Sequence, residues 1–310
     1  MIPFITDGEV GRLLDYAGVQ QSVAAAFESL AQGRAAIQAR QRIDCGGVKL
    51  SSMGAIWLDA AVAGTKVYPT VDGQFSFLFN LFDVADKRPL AVMQANELTR
   101  YRTPALSALV AQRTTQAPQK LALFGAGVQG RSHFEALVRA LPLKDVSVVD
   151  VADVSRWCAA VSEEHGISVQ TATAAQALDG ADVVVTATRS RQPLFDGRWL
   201  KPGAVVLAVG TSLPNGRELD DATLARAARV IVEWMPQSSV EAGEVVLGRA
   251  SKALRDEQLV DLPALFAGRA PWRTSPDEVL VFKSVGVGLT DLAAASLVWA
   301  RRAAAMGEQA

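Results

Sequence analysis

Histidine and cysteine are scarce in this 310-residue chain, which contains two of each. Cys45 and Cys158 match no metal-binding or redox spacing, so we expect reduced structural thiols. His133 and His165 have no Cys, His or acidic partner at metal-ligand spacing, and no H-E-x-x-H pattern occurs, so the sequence predicts no metal site. The P-loop and the G-x-S-x-G nucleophile elbow are also missing. A general base would have to be Lys, Asp or Glu, unless a cofactor supplies the chemistry.

Strong net charge and long apolar runs are absent as well. The formal net charge of −1 provides no basic field that would attract nucleic acid or an anionic membrane. No apolar run approaches the roughly 20 residues of a membrane span, and the N-terminus lacks the features of a secretory signal. We therefore expect a cytoplasmic protein that binds neither nucleic acid nor membranes. Half of the residues are hydrophobic, which is enough for one large core or two ordinary ones.

The most informative segment is GAGVQG at 125–130, which follows an apolar stretch at 120–124 and precedes helix-compatible residues. Gly125 permits a tight turn, Gly127 lets the backbone approach a pyrophosphate, and Gly130 lets the helix pack closely on the strand. The first turn of the helix offers free N–H groups and a positive dipole to the phosphates. The segment predicts dinucleotide binding, with Val128 and Gln129 in the same turn.

Asp150 follows a second apolar run, 20 residues after Gly130. A carboxylate at the end of that strand can accept hydrogen bonds from the ribose hydroxyls and would repel a 2′-phosphate. No Arg or Lys follows until Arg156. The sequence therefore favours NAD(H) over NADP(H).

The hydrophobic pattern changes along the chain. Helical spacing occurs at 7–14, 19–31 and 96–112, and residues 36–92 show short apolar stretches typical of a mostly antiparallel sheet. Residues 116–119, with Pro118, are typical of a linker. Beyond Asp150 strands and helices alternate, which predicts a parallel, doubly wound sheet with its ligand at the carboxyl ends of the strands. A last helix is expected from about residue 289 to Met306.

Seven separated segments, in one order along the chain, resemble the ornithine cyclodeaminase/mu-crystallin family. They are GTKV at 64–67, LTRYRTPALS at 98–107, GAGVQG at 125–130, VTAT at 185–188, AVGTSLP at 208–214 with EL at 218–219, EAGE at 241–244 and VFKSVG at 281–286. The resemblance implies an α/β fold in which a Rossmann-type doubly wound parallel sheet, at 116–289, is inserted in an α+β domain for substrate binding and dimerisation, at 1–115 plus 290–310. It also implies a homodimer. Reactions of the family move hydride between NAD(P) and the Cα of an amino or imino acid.

The resemblance assigns the substrate carboxylate to Arg42, Lys66 and Arg102, with Lys66 and Arg102 as the catalytic residues. A planar carboxylate suits the rigid bidentate fork of Arg. Arg40 would share a strand face with Arg42, and we prefer Arg42. Lys66 stands between apolar residues in an expected strand, where an unpaired ammonium would be costly. Thr103 is either a cofactor-facing residue or a helix N-cap. The remaining predicted cofactor contacts are Thr186, Ala187, Thr188, Val209, Gly210, Ser284 and Gly286.

The sequence departs from the cyclodeaminases of the family at Ser212. These enzymes carry an acid there, which binds the substrate amine and assists proton movement during ammonia loss. A hydroxyl cannot act as a general base without a neighbouring base, and Asp220 and Asp221 lie in the next expected helix. Imine reductases of the family resemble the chain better at this position, where we place Ser212 among the substrate-binding residues.

We therefore predict NAD(P)H-dependent reduction of a small cyclic imino acid, of the type Δ1-pyrroline-2-carboxylate to L-proline, by hydride transfer to Cα. Lys66 could donate a proton to the imine nitrogen. Two alternatives stay open. One is ornithine cyclodeaminase, which recycles NAD within a turnover. The other is a non-catalytic protein that binds NAD(P)H or a small ligand, since mu-crystallins are sometimes used to hold small hormones.

Overall fold

The computed structural model of the protein describes residues 1–307. Its strands in chain order are β1 (Phe4–Ile5), β2 (Ala35–Cys45), β3 (Val48–Trp57), β4 (Val62–Val71), β5 (Gln74–Phe75), β6 (Leu78–Asp83), β7 (Arg88–Gln94), β8 (Lys120–Phe124), β9 (Asp145–Val149), β10 (Ser168–Thr171), β11 (Val183–Thr186), β12 (Val205–Ala208), β13 (Ala227–Val232), β14 (Leu259–Asp261) and β15 (Val279–Lys283). Its α-helices are α1 (Asp7–Leu13), α2 (Tyr16–Ala31), α3 (Asn96–Thr114), α4 (Val128–Ala140), α5 (Ser155–His165), α6 (Ala174–Leu178), α7 (Asp221–Arg226), α8 (Met235–Glu241), α9 (Gly243–Ala250), α10 (Leu262–Phe266) and α11 (Gly288–Met306).

The chain forms two compact units. The first comprises Met1–Leu106 together with the residues from Gly286 onward, and the second comprises Ser107–Val285. The boundaries predicted from the sequence were 115/116 and 289/290. In the structure the units divide at 106/107, within the continuous helix α3, and at 285/286.

The first unit contains a seven-stranded sheet whose main path is β1-β7-β6-β4-β3-β2, with β5 paired to β4. Its pairs are antiparallel apart from β1 with β7, so the prediction of a mostly antiparallel sheet at 36–92 is confirmed. Helices α2 and α11 pack on each other and on β2 and β3. Asp15 begins α2 by accepting a hydrogen bond from the Gly18 N–H at 2.8 Å, and Val19, Val23 and Phe27 bury the face predicted from their spacing.

The second unit contains an eight-stranded sheet in the order β10-β9-β8-β11-β12-β15-β13-β14. All its pairs are parallel, which confirms the doubly wound sheet. The chain order reverses between β8 and β11, which is the topological switch point where such sheets bind ligands. Phe124, Thr186, Ala208 and Lys283 end four neighbouring strands in register. The loops that follow them therefore begin at one edge of this sheet.

Some short elements of the second unit were not predicted. They are α8, α9, β14 and α10, which are three to eight residues long and give no helical or strand period over a full window. The helix expected at 220–228 ends at Arg226, because Ala227 already pairs in β13. Among residues 1–307, no helix has the length and apolar character needed to cross a membrane.

Candidate cofactor and substrate sites

The glycine turn of the second unit has the geometry that a dinucleotide requires. Gly125 has φ +91°, and a Cβ there would lie 2.7 Å from the Ala187 carbonyl oxygen. A Cβ on Gly130 would lie 1.8 Å from the Gly125 carbonyl oxygen, so only glycine allows α4 to start this close to β8. No heavy atom lies within 4 Å of the corresponding position on Gly127, the N-cap, and no side chain caps the helix. The free N–H groups at the start of α4 therefore fit a pyrophosphate.

Asp150 stands at the end of β9 beside this turn. Its Oδ2 accepts the Ala126 N–H at 2.6 Å and its Oδ1 accepts the Ala152 N–H at 2.8 Å. Partial burial raises the pKa of Asp150. Hydrogen bonds from these N–H groups and from that of Val151, together with the nearby Arg131, outweigh burial, so the pKa lies below the ordinary value. Asp150 is thus an anion, and each oxygen keeps lone-pair capacity for a ribose hydroxyl. The guanidinium of Arg131, which the sequence did not single out, lies over the Trp157 ring.

Glu218 organises the loops that follow β11 and β12. Its buried carboxylate accepts hydrogen bonds from the Thr186 hydroxyl at 2.9 Å, the Gly210 N–H at 2.8 Å, and the Thr188 N–H and hydroxyl at 2.8 and 2.7 Å. A Cβ on Gly210 would lie 2.3 Å from the Thr188 carbonyl oxygen. One carboxylate therefore holds three of the predicted cofactor residues, while Ala187 and Val209 lie half-buried between them. From the sequence, Glu218 is notable only as part of the EL motif at 218–219, because a glutamate in a polar loop usually lies in solvent.

A second set of buried charges supports the same edge of this sheet. Lys283, at the end of β15, donates to the Thr211 carbonyl oxygen at 2.6 Å and lies 3.0 Å from the Glu244 carboxylate. Glu233 accepts the Ser284 hydroxyl at 3.0 Å and the Val285 N–H at 2.8 Å. The hydroxyl of Ser284 is therefore directed at a buried acid.

The two acids considered for the role missing at Ser212, Asp220 and Asp221, are engaged elsewhere in the described chain. Ser212 is half-buried in the loop after β12. Asp220 is the N-cap of α7 and accepts the Thr223 N–H at 2.7 Å, while Asp221 pairs with Arg217. Both carboxylates thus have structural partners within or beside α7.

The first unit contains a buried cluster around Lys66, on β4. Its Nζ donates to Oδ1 of Asp291, on α11, at 2.9 Å, and to the hydroxyl of Thr99, on α3. The Phe77 ring covers the ammonium, with its centroid 3.9 Å from Nζ. The side chains of Lys66 and Asp291 are 2% and 0% exposed, so the ion pair lies out of water.

Arg102, on α3, is the second cation of this cluster. Its Nε donates to the same Asp291 oxygen at 3.2 Å. Among residues 1–307 neither Nη group of Arg102 has a hydrogen-bond partner, although the side chain is only 8% exposed. Asp291 therefore holds the guanidinium through Nε alone. The edge formed by the two Nη groups stays available for a bidentate contact with a carboxylate.

Two predicted residues lie beside Arg102. The adjacent Thr103 donates its hydroxyl to the Thr99 carbonyl oxygen at 2.9 Å within α3, so the N-cap alternative is wrong because the helix begins seven residues earlier, at Asn96. Gly286 has φ +78°, and a Cβ there would lie 3.0 Å from an Nη atom of Arg102. The structure therefore places Gly286 at the cationic cluster of the first unit.

Arg40, rather than Arg42, joins the cluster from β2. Arg40 donates to the Gly286 carbonyl oxygen at 2.9 Å and acts electrostatically on both Lys66 and Asp291. Arg42 is exposed and pairs along the backbone with Ser51. The ladder between β2 and β3 shifts register between Gln38 and Gln41, so sequence spacing could not decide between the two arginines.

The charged groups of this cluster shift the pKa values of two of its members. Among residues 1–307, Arg40 and Arg102 act electrostatically on both Lys66 and Asp291. Burial lowers the pKa of Lys66 most; Asp291 raises it and the two arginines lower it, and the result is a pKa of about 8. Burial raises the pKa of Asp291, but Arg102, Lys66 and Arg40 lower it below the ordinary value. The positive charges of Lys66 and Arg102 attract an anion, and a substrate carboxylate has that charge.

One acidic group elsewhere was not foreseen. In the second unit, carboxylate oxygens of Glu135 and Glu164 and a ring nitrogen of His165 lie within 4.8 Å of one another. Glu135 also pairs with Arg139 at 3.0 Å. These side chains are partly exposed, and their contacts are those of a surface ion-pair network. They therefore do not indicate a metal site.

Comparisons with known proteins bear on both units. The profile of the ornithine cyclodeaminase/mu-crystallin family matches residues 4–305. The ketimine reductase mu-crystallin of Mus musculus is 35% identical over 71% of this chain and 67% of its own. The crystal structure of a probable ornithine cyclodeaminase from Bordetella pertussis Tohama I is 41% identical, with a TM-score of 0.96 over the whole of both chains. The iminosuccinate reductase of Paracoccus denitrificans, solved in complex with NAD+, is 26% identical, with a TM-score of 0.91 over 99% of this chain and 97% of that one.

The family profile and both solved structures extend over both units. The predicted fold class and the predicted enzyme class, an NAD(P)-dependent oxidoreductase, are confirmed at the level of the family. The chain belongs to the ornithine cyclodeaminase/mu-crystallin family.

Proposed function

We propose that the protein reduces a small cyclic imino acid with a nicotinamide cofactor, and that Δ1-pyrroline-2-carboxylate, reduced to L-proline, is a substrate. The observation that carries the proposal is the edge of Arg102 formed by its two Nη groups, which have no hydrogen-bond partner among residues 1–307 and belong to the same buried cluster as the ammonium of Lys66. A ligand suited to it has a planar carboxylate and a neighbouring nitrogen that takes a proton. The likeness to a ketimine reductase and an iminosuccinate reductase supports the same chemistry.

In this proposal the residues of the first unit bind and orient the imino acid. Arg102 and Arg40 bind its carboxylate, with Arg102 in bidentate geometry. The role predicted for Arg42 as a carboxylate ligand passes to Arg40. Lys66 directs an N–H at the ligand and supplies the proton that the nitrogen takes when the C=N π electrons move onto it. The bound nicotinamide supplies the hydride that forms the new bond at Cα.

The residues of the second unit would bind the cofactor. The turn at Gly125, Gly127 and Gly130 and the start of α4 fit the pyrophosphate, and Asp150 fits the adenosine ribose. We propose NAD(H) as the preferred form, because the anionic Asp150 would repel a 2′-phosphate. The likeness to a structure that contains NAD+ supports a nicotinamide cofactor.

Ornithine cyclodeaminase is the second candidate, since the Bordetella structure carries that designation. The reaction needs a group that binds the substrate amine and accepts a proton. In the described part of the loop after β12, position 212 offers a serine, and Asp220 and Asp221 already have partners in or near α7. These observations favour reduction over deamination.

One experiment separates the two candidates. The purified protein is incubated with NADH and Δ1-pyrroline-2-carboxylate, and separately with NAD and L-ornithine, while NADH absorbance and ammonia are followed. The proposal expects NADH oxidation in the first incubation and no ammonia in the second. Ammonia release from ornithine at several turnovers per second would establish the cyclodeaminase instead. Tight NADH binding with neither reaction would indicate a non-catalytic protein.

We further propose a homodimer that pairs through the sheet of the first unit. Ile43 and Leu50 are directly paired, as are Ile56, Ala63 and Phe82, so their side chains share one face. Ile43, Leu50, Ile56 and Phe82 are 69%, 45%, 44% and 41% exposed. Exposed apolar side chains on one face of a sheet are typical of a protein–protein interface. A second copy would cover it with the same residues in isologous pairing.

A further inference from the structure

We infer that Asp291 is a positioning residue, whose single oxygen Oδ1 holds the amine of Lys66 and the guanidinium of Arg102 in the arrangement that imine reduction needs. This inference rests on the proposed function. No motif of the sequence pointed to Asp291, which lies in the first turn of α11.

The hydrogen bonds of Asp291 are directed entirely to the two cations. An acid in the first turn of a helix ordinarily stabilises the free backbone N–H groups there. Among residues 1–307, Oδ1 of Asp291 instead accepts from Lys66 Nζ at 2.9 Å and Arg102 Nε at 3.2 Å, and the buried Oδ2 has no partner. A role in capping α11 does not account for this geometry.

Helix stability does not account for the buried charge either. Withdrawing an ion pair from water is costly, and a well-packed apolar pair of similar volume is often as stable or more stable. Around this position α11 buries Leu289, Leu292 and Ala293 completely, and the hydroxyl of the buried Thr290 donates to the Val287 carbonyl oxygen within the chain. A buried carboxylate here is therefore better explained by what it does to Lys66 and Arg102.

The charged groups that face Lys66 come from three elements. Asp291 lies on α11, Arg102 on α3 and Arg40 on β2. Of these, only Asp291 favours the protonated amine, since burial and both arginines lower the pKa of Lys66. With Asp291 ionised this pKa stays at about 8, so Lys66 is a proton donor at neutral pH. Without that charge the amine would lose its proton near or below neutrality.

The test is the variant Asp291→Asn, which keeps the shape of the side chain and removes its charge. We expect the alkaline limb of the kcat/KM profile for imine reduction to move to lower pH by about one unit or more, because an opposite charge at this distance shifts a pKa by about 1–3 units. The matched control is Asp59→Asn in the same unit, whose carboxylate binds Arg34 and Ser29, and which should leave the profile in place. An unmoved limb in Asp291→Asn, with NADH affinity intact, would overturn the inference.

A second measurement does not depend on turnover. The rate at which acetic anhydride modifies Lys66 is followed against pH by mass spectrometry of the peptide that contains it. The apparent pKa of Lys66 should fall from about 8 in the unmodified protein to a lower value in Asp291→Asn. Equal apparent pKa values of Lys66 in the two proteins would contradict the inference even if imines are reduced. A lower pKa in Asp291→Asn, in a protein that reduces no imine, would contradict the proposed function but not the pairing of Asp291 with Lys66.

Asp291→Glu decides the question if the Asn variant does not fold. It retains the charge but moves the oxygens by one methylene, so Arg102 loses its alignment. We expect the alkaline limb to stay near the wild-type position while KM for the imino acid rises about tenfold or more. A limb displaced toward lower pH in this variant would contradict the inference.

Discussion

Replacing Arg102 by leucine tests the proposed carboxylate contact directly. The guanidinium is held by Asp291 through Nε, and its two Nη groups have no hydrogen-bond partner in residues 1–307. A bound carboxylate can therefore form two parallel charge-assisted hydrogen bonds there. Leucine removes both, while Lys66 keeps its own contacts with Asp291 and Thr99.

The magnitude follows from these two bonds. A hydrogen bond to a charged group contributes about 1.5–3 kcal/mol, so the pair contributes about 3–6 kcal/mol. At about 1.4 kcal/mol per factor of ten, kcat/KM would fall by about 10² to 10⁴. Lys66 and Arg40 still attract the substrate, which favours the lower end of that range. Arg102→Lys should fall between the wild type and Arg102→Leu, because lysine keeps the charge but lacks the planar fork.

The assay measures NADH oxidation with Δ1-pyrroline-2-carboxylate and, separately, the Kd for NADH by fluorescence. The matched control is Arg100→Leu, on the same helix, where the guanidinium pairs with Glu97 at 2.6 Å and is partly exposed. The control should fold normally, since exposed ion pairs contribute little to stability. It should also retain nearly all activity, because the guanidinium of Arg100 pairs with Glu97 and not with Asp291. An unchanged kcat/KM in Arg102→Leu would refute the reasoning, and a weakened NADH affinity in that variant would show that the change disturbs more than substrate binding.

Three further predictions can be tested with the same protein. Asp150→Ser should weaken NADH more than NADPH, and the cofactor assignment fails if the unmodified protein already binds NADPH tenfold more tightly. Ser212→Asp should introduce detectable ammonia release from ornithine with NAD and should impair imine reduction. Unaltered reductase activity without ammonia release in this variant would show that residue 212 does not determine the reaction. The unmodified protein should sediment as a dimer at micromolar concentration, whereas Ile56→Lys with Phe82→Lys should yield monomers; a monomeric wild type would contradict the proposed interface.

The geometry of the glycine turn in the second unit could be predicted from the sequence because its determinants are local. The turn glycines, the strand before them and Asp150 lie within one short stretch, and each has a backbone role that a single sequence displays. The role of Glu218, which holds the loops after β11 and β12 through hydrogen bonds, could not be predicted in the same way. Its partners at Thr186, Thr188 and Gly210 follow two other strands, and only the parallel register brings them to it.

The cluster in the first unit could be predicted only in part. The apolar neighbours of Lys66 indicate a buried ammonium, and therefore a buried acid to pair with it, but not which acid. Asp291 lies 225 residues further along the chain, and no periodicity connects the two. One signal was present, since Asp291 is an acid in the apolar first half of the last helix. The choice between Arg40 and Arg42 depended on a register shift that alternation cannot reveal.

The charge of this cluster bears on the choice of reaction independently of Ser212. In the proposed site, Arg102 and Lys66 attract the carboxylate of an α-amino or α-imino acid, but they repel ammonium groups of the same ligand. A cyclic imino acid carries one nitrogen beside its carboxylate, whereas ornithine carries two ammonium groups. Cyclodeamination would therefore need an additional acid to offset the second ammonium, and Ser212 stands where the cyclodeaminases of the family have one. The same electrostatics that bind the carboxylate thus disfavour the diamine, so restoring an acid at position 212 is the change best suited to reverse that preference.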